Sequence, residues 1–391
     1  MQRRFLILRT IAFVILMALC ITAQSKKFSY GPRDKAYYAD PTTVEFVRPG
    51  LGITINSASI SSAGAISVTY TLTDPSGLPL DAAGVNTPGA VSLTYFAAYI
   101  PKGQQQYVAY TTASANGANL GTVTRPTFEE GGGTVTPVGA AGPGQYRYVM
   151  KTVAPAGFDP TITTTIGISG SRDLTTFNLG TSYGGATYNF VPNGSAVTVT
   201  RDVIKTASCN TCHGQLAFHG GHAFGMEYCV MCHNLSLTDA STRAQSTNAT
   251  ILAQAPQALN FNFAVHRIHT GVNLAAMGAS YIEITHNGRV DNFSNTLYPA
   301  MSPTGSTGNT QNCSMCHVNS SEQNLPDGEN QVTNGQYYIN PTPPVTSSCS
   351  GCHAAQADAA HFASNLNSIG EACDVCHNSG AQFSVGAVHA Q

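Results

Sequence analysis

The sequence predicts a mixed, two-part protein: an all-β sandwich or Greek-key barrel first, then a domain of short helices and loops. Three observations carry that prediction. Short runs of alternating apolar and polar residues recur between 48 and 204. After Ser208 they give way to polar stretches with Pro and Gly, at 300–312 and 319–348, which are too poor in apolar residues to bury a core. Into that polar half fall ten of the 11 cysteines, spaced as five copies of Cys-x-x-Cys-His. Something other than side chains must fill the second domain.

Taken in order, the chain opens with Arg3, Arg4 and Arg9, then an apolar run from Ile11 to Ile21 that ends at Ile21-Thr22-Ala23. This is the form of a secretory signal peptide over residues 1–23, and the run is short for a membrane span. Arg3-Arg4 reads as the basic flank, and Leu19 is large where a lipoprotein site at Cys20 wants a small residue. Cleavage after Ala23 removes Cys20 and leaves ten cysteines. Residues 24–47 form an N-terminal segment, 48–204 the β domain and 205–391 the second domain.

In the β domain Ile66, Val68, Tyr70 and Leu72 alternate with Ser67, Thr69, Thr71 and Thr73, the period-2 pattern of a half-buried strand. Asp74-Pro75-Ser76-Gly77 follows as a turn. Further strand candidates are 52–57, 91–100, 106–111, 145–152, 162–168, 186–191 and 196–204, separated by Gly, Pro and Asn. Short strands at such spacing predict a sandwich or barrel. The domain has no His, no Cys and no convergent acids. Tyr146, Tyr148 and Tyr188 read as core and cross-strand partners. The expected role is scaffold or docking surface.

The five motifs pair Cys209 with Cys212 and His213, Cys229 with Cys232 and His233, and Cys313 with Cys316 and His317. Cys349, Cys352 and His353 make the fourth, and Cys373, Cys376 and His377 the fifth. Histidine fills 12 of 391 positions, so finding it after all five Cys-x-x-Cys units by chance has a probability on the order of 10⁻⁸. Two thiols on one turn form thioethers to the vinyl groups of haem, and the adjacent His faces the iron. Zinc knuckles, redox pairs and disulfides are the other uses of Cys-x-x-Cys. Structural zinc takes such pairs two at a time, and five is odd. Five covalently bound c-type haems use every remaining thiol. They also supply the missing apolar mass, so the second domain is expected to be a haem-cored multihaem cytochrome c domain.

Charge narrows the partners. Residues 24–200 carry 10 Lys/Arg against 9 Asp/Glu, whereas 201–391 carry five against 11, and none of the five follows Arg289. Nucleic acid and anionic lipid both need a cationic footprint, so neither is expected. A cationic partner or a mineral surface fits this balance.

The sixth ligands separate a wire from an enzyme, because a haem closed on both sides transfers electrons while an open one binds small molecules. Seven histidines lie outside the motifs. His219, His266, His269, His286, His361 and His389 are the candidate distal ligands; His222 is the first candidate for bystander. His266 and His269 stand three apart in an apolar stretch that reads as a short helix, where i and i+3 share a face and can serve different irons. Met226, Met231 and Met315 lie near motifs but read as packing residues. Six candidates for five irons leave one histidine for a haem of a neighbouring subunit. The alternative class is a multihaem reductase of a small nitrogen or sulfur oxyanion, which requires one open haem.

Thr87-Pro88-Gly89-Ala90-Val91, the segment Phe190 to Val203, Ser208 to Gly221 and His266-Arg267-Ile268-His269-Thr270-Gly271 together resemble the OmcA/MtrC-type surface decahaem cytochromes over roughly residues 36–391. The resemblance implies a β domain followed by a pentahaem domain with bis-His haems. It implies export to the outer-membrane surface or beyond rather than the periplasm. Electrons would pass to extracellular acceptors, mineral or soluble, with other multihaem cytochromes, a porin-cytochrome conduit or further copies of itself as partners. By that pattern His219, His266, His269, His361 and His389 match distal-ligand positions, with His286 in a similar setting. The family's namesakes hold ten haems in two halves, and this chain carries motifs for one.

Overall fold

A computed structural model describes residues 28–138, 144–214, 216–221, 223–298, 310–325, 331–367 and 370–389. The signal-peptide reading, Cys20 and His222 lie outside them. Strands β1 (Gly52–Ile60), β2 (Ala65–Thr73), β3 (Val91–Tyr99), β4 (Val108–Ala109), β5 (Thr112–Gly117), β6 (Gly121–Pro126), β7 (Thr134–Pro137), β8 (Gln145–Val153), β9 (Thr164–Asp173) and β10 (Thr181–Phe190) come first. They form two four-stranded antiparallel sheets, β1-β2-β8-β7 and β10-β9-β3-β4, with β5-β6 as a separate hairpin. Short helices, loops and two small hairpins (Ala217–Phe218 with Ala223–Phe224, Ile282–Thr285 with Arg289–Asn292) make up the rest.

The sheets close face to face because their apolar residues recur every second position. Ile66, Val68, Tyr70 and Leu72 of β2 meet Tyr95 and Ala97 of β3 and Ile166 and Ile168 of β9 in one core. Tyr70 and Tyr95 join hydroxyls across the sandwich at 2.8 Å. Tyr148 donates to buried Glu129 at 2.5 Å, and that carboxylate also accepts from the backbone of Lys151 and Thr152. The Tyr70, Tyr95 and Tyr148 hydroxyls and the Glu129 carboxylate carried into this core thus have partners, which offsets their desolvation.

The second sheet is buried on both faces. Phe96 and Ala98, alternating with Tyr95 and Ala97, point away from the sandwich and pack with Ile100 and Tyr107 on Ala223, Tyr228 and Met231 of the second domain. Thr94 and Tyr228 share a hydrogen bond of 3.1 Å there. Gly167 lets the helix approach, since a Cβ on it would stand 2.7 Å from the Tyr228 ring. The hairpin β5-β6 extends the junction, with the Ala118 amide donating to Ala240 O at 3.0 Å.

Arg172 on β9 is fully buried and faces no carboxylate at bonding distance. Its guanidinium donates to the carbonyls of Val47, Arg48, Gly50 and Pro88 at 2.5–3.0 Å. The N-terminal segment and the Thr87-Pro88-Gly89 turn are thereby tied to the sandwich. Burial pushes its pKa down to about 10, still far above neutral pH.

Two expectations need correction. Residues 196–204 alternate like a strand but join no ladder; they run extended, with Val199 O accepting from Thr163 at 2.8 Å and Ile204 bridging His317. The stretch is the connection that lays the chain against the third motif. Conversely β5, β6 and β7 were not among the expected strands, because Thr112–Gly117 and Gly121–Pro126 are built of small and polar residues without apolar alternation. Replacing Gly167 by Ala should overpack the junction and cost about 1–3 kcal/mol, read as a lowered denaturation midpoint by circular dichroism.

Candidate functional site

The five motifs sit on short helical turns. The first lies on helix Thr206–His213, the second on Met226–Cys232, the fourth at the end of Pro344–Cys349 and the fifth on Cys373–His377; the third uses a 3₁₀ turn, Cys313–Met315. In motifs two, three and four the histidine amide donates to the first cysteine carbonyl at 2.9 Å. That single turn brings both thiols to one face. None of the ten described cysteines pairs with another in a disulfide. Among the described residues no three of His, Cys, Asp and Glu converge as a metal cage.

Each motif histidine instead faces one other histidine. Ring centroids are 6.1 Å apart for His213 and His269, 6.0 Å for His233 and His219, and 6.2 Å for His317 and His266. They are 5.9 Å apart for His353 and His389, and 6.0 Å for His377 and His361. Two imidazoles bound through Nε2 to one metal, at about 2 Å each, hold their centroids roughly 6 Å apart. His286 is exposed on a turn at 286–288 and stands outside the five pairs. Every motif histidine thus meets a partner from its own chain, and His286 is the candidate left over.

Hydrogen bonds orient the rings. Nδ1 lies 2.8 Å from Leu259 O in His233, 3.1 Å from Ser348 O in His266 and 2.9 Å from Val265 O in His269. It lies 2.7 Å from Phe383 O in His377 and 2.8 Å from Val385 O in His389. A carbonyl only accepts, so Nδ1 carries the proton in these five rings and Nε2 keeps its lone pair for a metal. Burial pushes His233 and His266 down to about 4 and also lowers His269 and His317. Neutral imidazole, the form that ligates, is favoured.

Burial raises the thiols as well. Cys209 is pushed up to about 11, with Cys316 the next contributor; Cys229 is pushed up to about 12, with Cys209 next. Cys349 is likewise raised to about 12, by burial and then by Cys373, and Cys352 adds to the rise at Cys313. Contacts give the same neighbours. Glu227 accepts from Thr206 between motifs two and one, and His269 and His266 of one helix face motifs one and three. Thr270 lies 3.2 Å from Cys352 of motif four, and Glu371 accepts from Thr346 between motifs four and five.

Helix Phe261–His269 organises the middle of this row. Its apolar face packs Phe263 and Ala264 on Leu235, Tyr281 and Val332, leaving His266 and His269 to face different motifs. Arg267 between them donates to Ala279 O at 3.0 Å and Ser350 O at 3.3 Å, its guanidinium 4.8 Å above the Phe263 ring. Gly351 of the fourth motif approaches so closely that a Cβ would lie 2.5 Å from that of His266.

Supporting residues that sequence reasoning missed are carboxylates. Asp239 and Arg243 form a fully buried pair at 2.6 Å, and Asp239 also accepts from the amides of Gln257 and Ile284. Glu227 accepts from the amide of Thr206 at 3.2 Å and from its hydroxyl. Glu371 accepts from the amides of Val345 and Thr346 at 2.7 and 2.8 Å. Asp239→Ala should strand the Arg243 charge and cost about 3–5 kcal/mol. The chain has no tryptophan, so urea unfolding followed by far-ultraviolet circular dichroism is the measurement.

Residues 201–390 match the family described as outer membrane cytochrome MtrC/MtrF-like, domains II/IV. Among solved structures, the chain is similar to the outer membrane decaheme cytochrome OmcA at 18% identity and a TM-score of 0.54. The match covers 87% of this chain and 48% of that one. It is also similar to MtrC from Shewanella baltica OS185 at 18% identity and a TM-score of 0.47, covering 87% and 44%. The chain spans about half the length of these solved structures. No curated protein matches it.

Proposed function

We propose, from a chain whose residues 201–390 belong to the MtrC/MtrF-like outer membrane cytochromes, that it is an exported pentahaem electron-transfer protein. It works at the outer-membrane surface or outside the cell. It receives electrons from other multihaem cytochromes or a porin-cytochrome conduit. It delivers them to mineral or soluble extracellular acceptors, such as metal oxides, or to partner cytochromes. Residues 205–391 are the haem domain and 48–204 the β domain that supports it. Bound haem supplies a one-electron ferric/ferrous couple.

One observation carries this reading: five motif histidines each face a second imidazole at 5.9–6.2 Å. In it, Cys209 and Cys212 with His213 and His269 hold one haem, and Cys229 and Cys232 with His233 and His219 the next. Cys313 and Cys316 with His317 and His266 hold the third. Cys349 and Cys352 with His353 and His389, then Cys373 and Cys376 with His377 and His361, hold the last two. Carbonyl acceptors keep Nε2 available in five of these rings. The neighbouring thiols give the order two, one, three, four, five, with the second motif against the β domain and the fifth at the far end. A reductase needs one iron with a vacant position, and five matched imidazoles count against that.

Oxidised protein should carry five haems per chain by haemochrome assay and show only low-spin ferric signals in electron paramagnetic resonance. A high-spin signal from the unaltered chain would favour the reductase. His361 is exposed at the end of the row, so His361→Ala should keep the fold, convert one haem of five to high spin and admit cyanide there.

A further inference from the structure

The haem row contains the same unit twice. Motif one is preceded by Thr206, three residues before its first cysteine, and motif four by Thr346 in the same place. Motif two is preceded by Glu227, two residues before its first cysteine, and motif five by Glu371 in the same place. Between the members of the first pair lie His219 and His222, and between those of the second His361; His219 and His361 each face the second motif of their own pair. The third motif has Thr310 three residues before its first cysteine but Gln311 where motifs two and five have glutamate, so it lacks the carboxylate.

The tertiary contacts repeat as the sequence does. Glu227 reaches back to the amide and hydroxyl of Thr206, and the Thr206 hydroxyl accepts from the Met226 amide at 2.7 Å. Glu371 reaches back to the amide and hydroxyl of Thr346, both at 2.8 Å. In each case a carboxylate from the second motif closes the start of the helix that carries the first, where free amides and the helix dipole favour negative charge. The carboxylate also lies beside the sulfur atoms: Glu371 Oε2 is 3.9 Å from Cys373 Sγ. Glu227 is among the charges that raise both Cys209 and Cys229, and Glu371 among those that raise both Cys349 and Cys373.

We infer that motifs one and two, and motifs four and five, are two copies of a di-haem module, in which Glu227 and Glu371 are equivalent positioning residues. Each fixes its two attachment helices against one another and holds the potentials of both haems low. The sign follows from charge: a ferric haem carries one more positive charge than a ferrous one, so a nearby anion stabilises the oxidised form. The haem of the third motif lies outside both modules. This inference rests on the haem reading proposed above.

Redox titrations of the haem-loaded full chain, followed by electron paramagnetic resonance, test it. Glu371→Gln keeps the shape and removes the charge. It should raise two of five potentials, shifting the ferric/ferrous equilibrium at least tenfold, or about 59 mV for a one-electron couple. Glu227→Gln should raise a different two, and the double variant should leave one haem unmoved. Thr346→Val removes a donor while keeping the charge, so it should move the same pair as Glu371→Gln but in the opposite direction, which simple loosening would not do. Unmoved potentials in either glutamine variant, or a Thr346→Val shift of the same sign, would overturn the inference. If Glu371→Gln fails to load haem, Glu227→Gln and Thr206→Val carry the same comparison. Native protein without haem would overturn the haem reading itself, whereas five haems with unmoved potentials would overturn only the module.

Discussion

The facing of two imidazoles across roughly 6 Å is the constraint from which the second domain is built. A polypeptide with the polar stretches of this half cannot collapse on its own apolar residues, and its helices are mostly shorter than two turns, well under the length at which helices persist alone. Each ring pair joins residues distant in sequence, such as His213 with His269 and His353 with His389. In the proposed holoprotein these pairs do the work that a packed core does elsewhere. There, covalent tethering and metal ligation would hold together segments that their own burial would not.

The β domain was legible because its physics is local and periodic. Ile66 to Thr73 announces its inward face by alternation, and that face is the core found. The hairpin β5-β6 was not legible, since its residues are small and its stability comes from contacts near Ala240 and Leu252. Residues 196–204 failed in the opposite way: the alternation was present, but the stretch pairs with neither sheet and instead bridges the third motif at Ile204. Arg172 gave no signal either, because nothing local marks which arginine will be surrounded by carbonyls from residues 47–50 and 88.

At the candidate site, the cysteines and motif histidines were legible because attachment chemistry fixes their spacing. Which spare histidine faces which motif was not, since that depends on how helices cross. His266 and His269 illustrate the division: their spacing showed that they share a helix face, while only the fold pairs one with His317 and the other with His213. Glu227 and Glu371 lie close enough to their motifs to have been read as a repeat. Their meaning emerges only when Thr206 and Thr346 are seen to receive them.

The row therefore has an identifiable middle. Helix Phe261–His269 supplies one ligand candidate to the first motif and one to the third, and its next residue, Thr270, lies 3.2 Å from Cys352 of the fourth. In the proposed holoprotein hopping along the row would be set by its widest gap, so an element that touches three consecutive members would govern the whole. That explains why this helix is braced from several sides: by Asn262 on Ser348, by Arg267 on Ala279 and Ser350, and by the Gly351 backbone against His266. A loosened end member would impair only entry or exit. A loosened central helix would break the row into two pairs that no longer meet.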